Sequence, residues 1–460
     1  MKKNEAVYER YRQLVASGAI AGGERLPSVR EAAALSGTSV NTIVNAYERL
    51  ADEGWIRARE RSGYFARARA RLENDAAVIP ERFVSSARET GERLDMVFER
   101  LTRTDSSFAV AAPGTDLFPA DRLEQAFSSL KRSWIEYAQA AGDTGFRKRI
   151  ALASEETDGP TDAEDIVVTN GATEALSLVF RTFVRPGDAV VLESPAYFNY
   201  FRQLAPFGAE IVEVPVGPNG MDLDILERET ENRKIRAVVV QPNVQNPCGV
   251  TMSDGAKARL VALAEKRNII LIQDDVYGDL AFGPRRARNL SAFSGYSGIV
   301  LVSSYSKSIG PGLRIGWIRS PEYAERFTEE KLSVSFESCR AAQFALSGFV
   351  ATAAHRRHLI AMRRELEIRV DDHIALLSDI LPAGSSVRRP SGGCLLWIAL
   401  PAGTDATAVF ERSARKGLIA APGEIFSSNP FFTNYLRINA GWKLSIERAK
   451  ALSRLKEAFG

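Results

Sequence analysis

Cysteine and histidine are both scarce in this 460-residue chain, which limits what they can build. The three cysteines (Cys248, Cys339 and Cys394) are odd in number and far apart. They offer neither a CxxC pair nor a disulfide framework, so a reducing compartment is expected. The three histidines (His355, His358, His373) fall in one basic helical stretch that lacks acidic or thiolate partners, and no metal site is expected. No apolar run approaches the roughly 18 residues of a membrane span. Met1-Lys2-Lys3-Asn4-Glu5 leads into a charged helical pattern rather than an apolar leader. The expectation is a cytoplasmic protein with no membrane partner.

The remaining composition is that of an ordinary globular chain, 45% hydrophobic and 25% charged, and its length suits two or three domains. The net charge of +3 is unevenly spread. Residues 1–72 hold 13 Lys and Arg against 8 Asp and Glu, whereas the remainder holds 47 against 49. The first sixth of the chain is therefore the part suited to a polyanion.

In that first sixth, Val7, Tyr11, Leu14 and Val15 recur at helical spacing and predict a helix over 4–17. Gly22-Gly23 and Pro27 interrupt the chain. Ser28-Val29-Arg30-Glu31 then reads as a capping box opening a short helix that ends near 36–38. A third helix is expected over 39–53, with Ile43, Tyr47 and Leu50 on one face. Two short strands, 55–59 and 63–67, follow around a tight turn. Helix, helix, turn, helix and hairpin is the order of a winged helix-turn-helix, whose third helix enters the major groove while the hairpin follows the backbone. Between Trp55 and Leu72 lie six arginines and one acid, Glu60, a balance that phosphates reward through counterion release. The candidate contacts to double-stranded DNA are Arg30, Ser39, Asn41, Thr42, Asn45, Arg57, Arg59 and Arg61.

The residues Leu26-Pro27-Ser28-Val29-Arg30, Asn45-Ala46-Tyr47-Glu48-Arg49-Leu50, Glu53-Gly54 and Ser62-Gly63-Tyr64-Phe65 resemble the GntR-type winged helix. That family commonly carries an arginine before the threonine of helix three. Asn41 stands there instead, which implies a different operator.

Residues 69–92 are charged and unpatterned, as a linker is, and a helix is expected over 93–103. From residue 107 apolar strands and helices alternate, which predicts an α/β fold around a mostly parallel sheet. The strands expected are 166–169, 189–192, 237–241, 269–273 and 299–302. In such folds functional residues collect where strands end. The strand ends carry Asn170-Gly171-Ala172-Thr173, where a helix N-terminus can hold phosphate. They also carry Ser194-Pro195-Ala196-Tyr197, Asn246-Pro247-Cys248-Gly249 and Gln273-Asp274-Asp275-Val276-Tyr277. Last come Ser304-Tyr305-Ser306-Lys307 and, seven residues past the lysine, Arg314.

In this order the set resembles the fold-type-I, aspartate-aminotransferase-like, pyridoxal-phosphate (PLP) fold over about residues 105–460. The resemblance implies that Lys307 holds the cofactor aldehyde as a Schiff base and serves as the catalytic residue. It implies that Asp274 pairs with the ring nitrogen, that Asn246 and Tyr277 meet the ring oxygen, and that Tyr197 stacks on the ring. The phosphate would fall to Gly171, Ala172, Thr173, Ser304, Ser306 and Arg314. Arg437, in Tyr435-Leu436-Arg437-Ile438-Asn439, would grip a carboxylate, and Tyr137 would reach the partner subunit's phosphate. Two departures stand out: Ala140 where a proline is usual, and Cys248 where a threonine is common.

A GntR-like winged helix joined to such a domain resembles the MocR-type transcriptional regulators. The implied division is a winged helix over 1–68, a linker with a helix over 69–104, and an aminotransferase-like domain over 105–460. That domain would have a large part at about 140–335 and a small part at about 340–460. The implied protein is a head-to-tail homodimer that senses an amino acid, an amine or PLP itself. The alternative is an active aminotransferase with an appended DNA-binding domain.

Overall fold

A computed structural model of the chain describes residues 3–16, 20, 24–52, 55–59, 63–66, 84–86, 108–130, 135–137, 139–283 and 285–459. It divides into two compact units, residues 1–73 with 371–381, and residues 74–370 with 382–460.

In the first unit, helix α1 (Lys3–Ala16), α2 (Val29–Ser36) and α3 (Val40–Asp52) precede a hairpin of β1 (Ile56–Arg59) and β2 (Gly63–Ala66). The strands pair antiparallel with Ile56 opposite Ala66 and Arg59 opposite Gly63. Helix α2 begins as its sequence dictates. The Ser28 hydroxyl accepts from the Glu31 N–H, and the Glu31 carboxylate accepts from the Ser28 N–H at 2.8 Å. Gly37, at φ +61°, closes that helix in the left-handed conformation. Ile43, Ala46, Tyr47 and Leu50 recur at the i, i+3, i+4, i+7 spacing and bury one face of α3 against Val7, Tyr11 and Val15 of α1. Full burial of Ile43 or Leu50 contributes about 1.5–3 kcal/mol over exposure.

The second unit is built on a sheet ordered β3 (Val84–Ser86), β6 (Glu210–Gly217), β5 (Ala189–Ser194), β8 (Ile235–Val240), β9 (Ile270–Asp274), β10 (Ile299–Ser304), β11 (Gly316–Arg319), β4 (Ile166–Thr169). A short strand β7 (Gly220–Met221) turns back on β6. The run from β6 to β10 is parallel; β3 and β11 lie antiparallel to it, and β4, paired antiparallel with β11, runs in the same direction as the parallel strands. Strands β4, β5, β9 and β10 are buried along their length, as their Val, Ile and Leu content requires. Residues 69–92 were expected to be linker, yet three of them, Val84–Ser86, form the edge strand β3. The helix expected over 93–103 lies outside the described residues.

A second sheet is antiparallel and ordered β12 (Ser386–Arg388), β13 (Leu395–Ala399), β15 (Tyr435–Asn439), β14 (Ala421–Pro422). No helix among the described residues is long and apolar enough to cross a membrane.

Candidate functional site

The carboxyl ends of the parallel strands open into a cleft lined by Ala172, Thr173, Tyr197, Asn246, Asp274, Tyr277, Ser304, Ser306, Lys307 and Arg314 among others. Ten of the predicted cofactor-site residues thus line a single cleft.

At one end of the cleft the chain leaves β4 through Gly171, at φ +89° and ψ 168°, and enters the helix Ala172–Phe183. No side chain caps that helix at its first residue, so its early N–H groups are available to an anion. A side chain at position 171 would run into the Arg314 guanidinium. Arg314 is held at φ +50°, an uncommon conformation for a residue with a Cβ. Its guanidinium lies 3.2 Å from the Asn170 carbonyl and 3.4 Å from the Ser306 hydroxyl. Ser304 Oγ sits 2.8 Å from Ser306 Oγ and accepts from the Ser306 N–H at 3.0 Å. One guanidinium, two hydroxyls and an uncapped helix start form a cup for a dianion.

Lys307 follows in the turn after β10. Burial, the largest influence, pulls its ammonium down to about 8; Arg437 and Arg314 act in the same direction, while Cys394 and Asp274 oppose them. Its Nζ is 5.9 Å from the centre of the Tyr277 ring. Asp274, at the end of β9, is buried, and that burial pushes its carboxyl up. The Tyr200 hydroxyl donates to it at 2.6 Å and the Val276 N–H at 3.1 Å, and both favour the charged form. Burial also pushes the Tyr197 phenol up to about 12.

Arg437 lies on β15, 1% exposed, with its guanidinium 4.9 Å from the Phe426 ring centre and 5.8 Å from that of Phe198. Its Nη1 donates to Asn246 Oδ1 at 3.1 Å and its Nη2 to the Ala109 carbonyl, while its buried Nε has no partner. The Tyr277 hydroxyl is likewise engaged, donating to the Ala111 carbonyl at 2.7 Å.

Tyr137 is 82% exposed and packs edge-on against Phe336 with ring centres 5.6 Å apart; it does not line the cleft of its own chain. In the winged helix Arg30, Ser39, Asn41 and Asn45 are exposed. The Ser39 and Thr42 hydroxyls lie 2.8 Å apart, and Ser39 Oγ accepts from the Thr42 N–H, so both serve the start of α3. Arg57 differs from expectation. It pairs with Asp372 of the same compact unit at 2.6 Å, with its side chain 12% exposed, which takes it out of a freely available basic wing. The Arg59 side chain and Arg61 lie outside the described residues.

Sequence reasoning passed over Tyr200, Gln241, Glu193 and the carbonyls of Ala109 and Ala111. Gln241 accepts from the Asn246 N–H at 2.9 Å, and the buried Glu193 accepts from the Gln241 N–H at 3.0 Å. Burial pushes the Glu193 carboxyl up to about 8. Tyr200 carried one signal, its position three residues past Tyr197, in the helix Asn199–Leu204 that follows the strand-end motif.

Comparison with known proteins agrees with this geometry. The family described as aminotransferase class I and II matches residues 114–452, and that of bacterial regulatory proteins, gntR family, matches residues 3–65. Two Escherichia coli K12 proteins named as HTH-type transcriptional regulators are similar along almost their whole length. YjiR is 31% identical over 445 residues, covering 95% of this chain and 94% of its own. YdcR is 31% identical over 461 residues, covering 99% and 98%. Among solved structures, the α-aminoadipate aminotransferase LysN of Thermus thermophilus, complexed with N-(5'-phosphopyridoxyl)-L-leucine, is similar with a TM-score of 0.73. It is 27% identical, over 79% of this chain and 94% of its own.

Proposed function

The chain belongs to the aminotransferase class I and II family, and because a GntR-family segment precedes that domain, we propose that it is a PLP-dependent transcriptional regulator of the MocR type. The observation that carries the reading is the convergence of Lys307, Asp274 and the Gly171–Arg314 cup in one cleft, on a chain that opens with a winged helix.

The donors present suit the cofactor. An uncapped helix start, two serines and Arg314 match a phosphate dianion, and a buried carboxylate matches a protonated ring nitrogen. When bound, PLP supplies an aldehyde for amines and a ring that accepts electrons. Asp274 would hold the proton at the ring nitrogen, while Tyr200 stabilises its charge. Tyr197 would cover one face of the ring and exclude water. With its ammonium pulled down to about 8, Lys307 is neutral often enough near neutral pH to act as nucleophile or base. Arg437 would anchor a carboxylate through its fork of N–H donors.

The regulator would bind double-stranded DNA through residues 1–68 and act in the cytoplasm as a head-to-tail homodimer. The exposed apolar side chains Ile135, Tyr137, Leu332, Val334 and Phe336 support such an interface, across which Tyr137 would reach the partner subunit's phosphate. The test has two arms. With PLP, the purified protein is expected to give a visible band and a borohydride-reducible protein adduct, and Lys307→Ala is expected to form no such adduct; an adduct that persists in the variant overturns the lysine assignment. Footprinting upstream of its own and neighbouring genes is expected to show sequence preference, and uniform protection overturns the regulator.

The second reading, an active aminotransferase, draws on the same lowered Lys307. It predicts bleaching of the visible band by an amino acid without added keto acid, one equivalent per site.

A further inference from the structure

The segment Phe108–Ala112 of the second unit borders the cleft at Ala111, and its carbonyls tie it there as a strap. The Phe108 carbonyl accepts from the Asn439 N–H at 2.7 Å. The Val110 and Ala112 carbonyls share the Asn439 amide at 2.6 and 2.7 Å. The Ala111 carbonyl takes the Tyr277 hydroxyl, and the Ala109 carbonyl takes Arg437 Nη2. Arg437 and Asn439 are two residues apart on β15, so both side chains leave the same face of the strand. Three of these ties fall on Asn439, to which no ligand is assigned. Tyr277 and Arg437 each have one assigned, the cofactor's ring oxygen and a carboxylate.

A carboxylate is gripped through two parallel hydrogen bonds, and both two-point edges of a guanidinium include Nη2. That nitrogen is the one Ala109 occupies. The adjacent Nε is buried and without a partner, so the Nε–Nη2 edge is half filled. From this we infer that the Ala109 carbonyl stands where the carboxylate of an effector docks, and that docking displaces it and loosens the strap. The effector class that follows is an amino acid or other amine that also bears a carboxylate: the amine for Lys307, the carboxylate for Arg437. In the sequence the strap follows the stretch that leads from the winged helix by way of β3, and on this inference occupancy of Arg437 is read along that stretch. Two arrangements of one strap, biased by a ligand that favours one of them, are sufficient for coupling. This inference rests on Arg437 as the ligand's anchor.

The test uses the full-length, PLP-loaded protein and follows amide hydrogen exchange in peptides spanning 108–114. Ligand-free Arg437→Met, which has no donor for Ala109, is expected to exchange there about tenfold faster than wild type. Its DNA affinity is expected to shift by about fivefold or more, the lower range of known couplings. Arg437→Lys keeps one donor and is expected to keep the strap closed while losing the response to carboxylates. A second arm needs no variant: wild type titrated with maleate, a dicarboxylate that has no amine, is expected to show strap exchange rising with dose. Strap exchange in Arg437→Met equal to wild type, or a flat maleate titration, overturns the inference. A wild type that fails to bind DNA defeats the regulator reading and leaves both exchange measurements intact.

Discussion

Replacing Gly171 with alanine is expected to weaken PLP binding more than it weakens the fold. At φ +89° and ψ 168° the residue occupies a region that is nearly glycine-only, so an added Cβ costs about 1–3 kcal/mol in backbone strain. The new carbon would also run into Arg314 and lie 3.0 Å from its Cζ. The peptide cannot retreat, because the backbone of Gly316 lies so close that a Cβ there would come within 2.6 Å of the Gly171 carbonyl carbon. The guanidinium therefore gives way, and the anion cup loses its only arginine among the cleft-lining residues. A charge-assisted hydrogen bond is worth about 1.5–3 kcal/mol, so the PLP dissociation constant is expected to rise by about 10- to 100-fold. The assay is a PLP titration by visible absorbance, run beside a thermal melt of the ligand-free protein. Unchanged affinity in a protein that melts a few degrees lower would refute the reasoning, since strain would then be present without displacement of Arg314.

Three further outcomes follow from the same geometry. Lys307 has a folded-state pKa of about 8 against 10.5, so the unfolded chain binds the extra proton between those values and wild-type stability rises with pH across that window. Ligand-free Lys307→Met is accordingly expected to be more stable than wild type at pH 7, by at most about 3 kcal/mol, with the gap closing towards pH 10.5 in denaturant titrations. Tyr200→Phe removes a donor from the buried Asp274 and is expected to cost about 1–3 kcal/mol of stability at pH 8, with the pH dependence of the visible band of the PLP-loaded protein displaced; an unmoved band would limit Tyr200 to packing. In the winged helix, Asn45→Ala is expected to cost about 1–3 kcal/mol on the operator with an unchanged salt slope, whereas Arg30→Ala lowers the slope by about one, both measured by DNA titration at several salt concentrations.

The parts of the molecule legible in the sequence are those fixed by local chemistry. Ser28 and Glu31 specify the start of α2 within four residues, and the apolar runs of β4, β5, β9 and β10 fall within a residue or two of expectation because burial on both faces leaves an unbroken signature. Strand β3 was not legible: Val84–Ser86 lies in a charged stretch and owes its conformation to pairing with β6, a tertiary cause. The candidate cofactor site was legible where a side chain at a strand end could serve it. It was not legible at Tyr200, since 74 residues separate it from Asp274 and only the sheet order brings them together. Nor could Ala109 be found, because its contribution is a carbonyl, which every residue possesses.

The helix Ala172–Phe183 also explains why a basic groove elsewhere on the domain is no rival anion site. Arg185, Arg233, Lys234, Arg236 and Arg326 line a hollow with only Asp188 and Glu210 as acids, a composition that at first suggests a second polyanion surface. Their hydrogen bonds point elsewhere. Arg326 donates to the Thr182 carbonyl at 3.1 Å, Arg236 to Phe183 at 2.8 Å, and Arg185 to Arg181 and Val184 at 2.9 Å. Arg233 is paired with Glu210 and Glu229 at 3.0 and 3.1 Å. Three of the arginines therefore answer the carbonyls at the helix's C-terminal end, where the dipole is negative and cations are stabilising by about 0.3–1 kcal/mol each. The opposite end, at Gly171, is left without a side-chain cap and faces the cleft. One helix thus has its negative pole satisfied by protein and its positive pole open to a ligand, which supports the proposed anion site at Gly171 over one in the hollow.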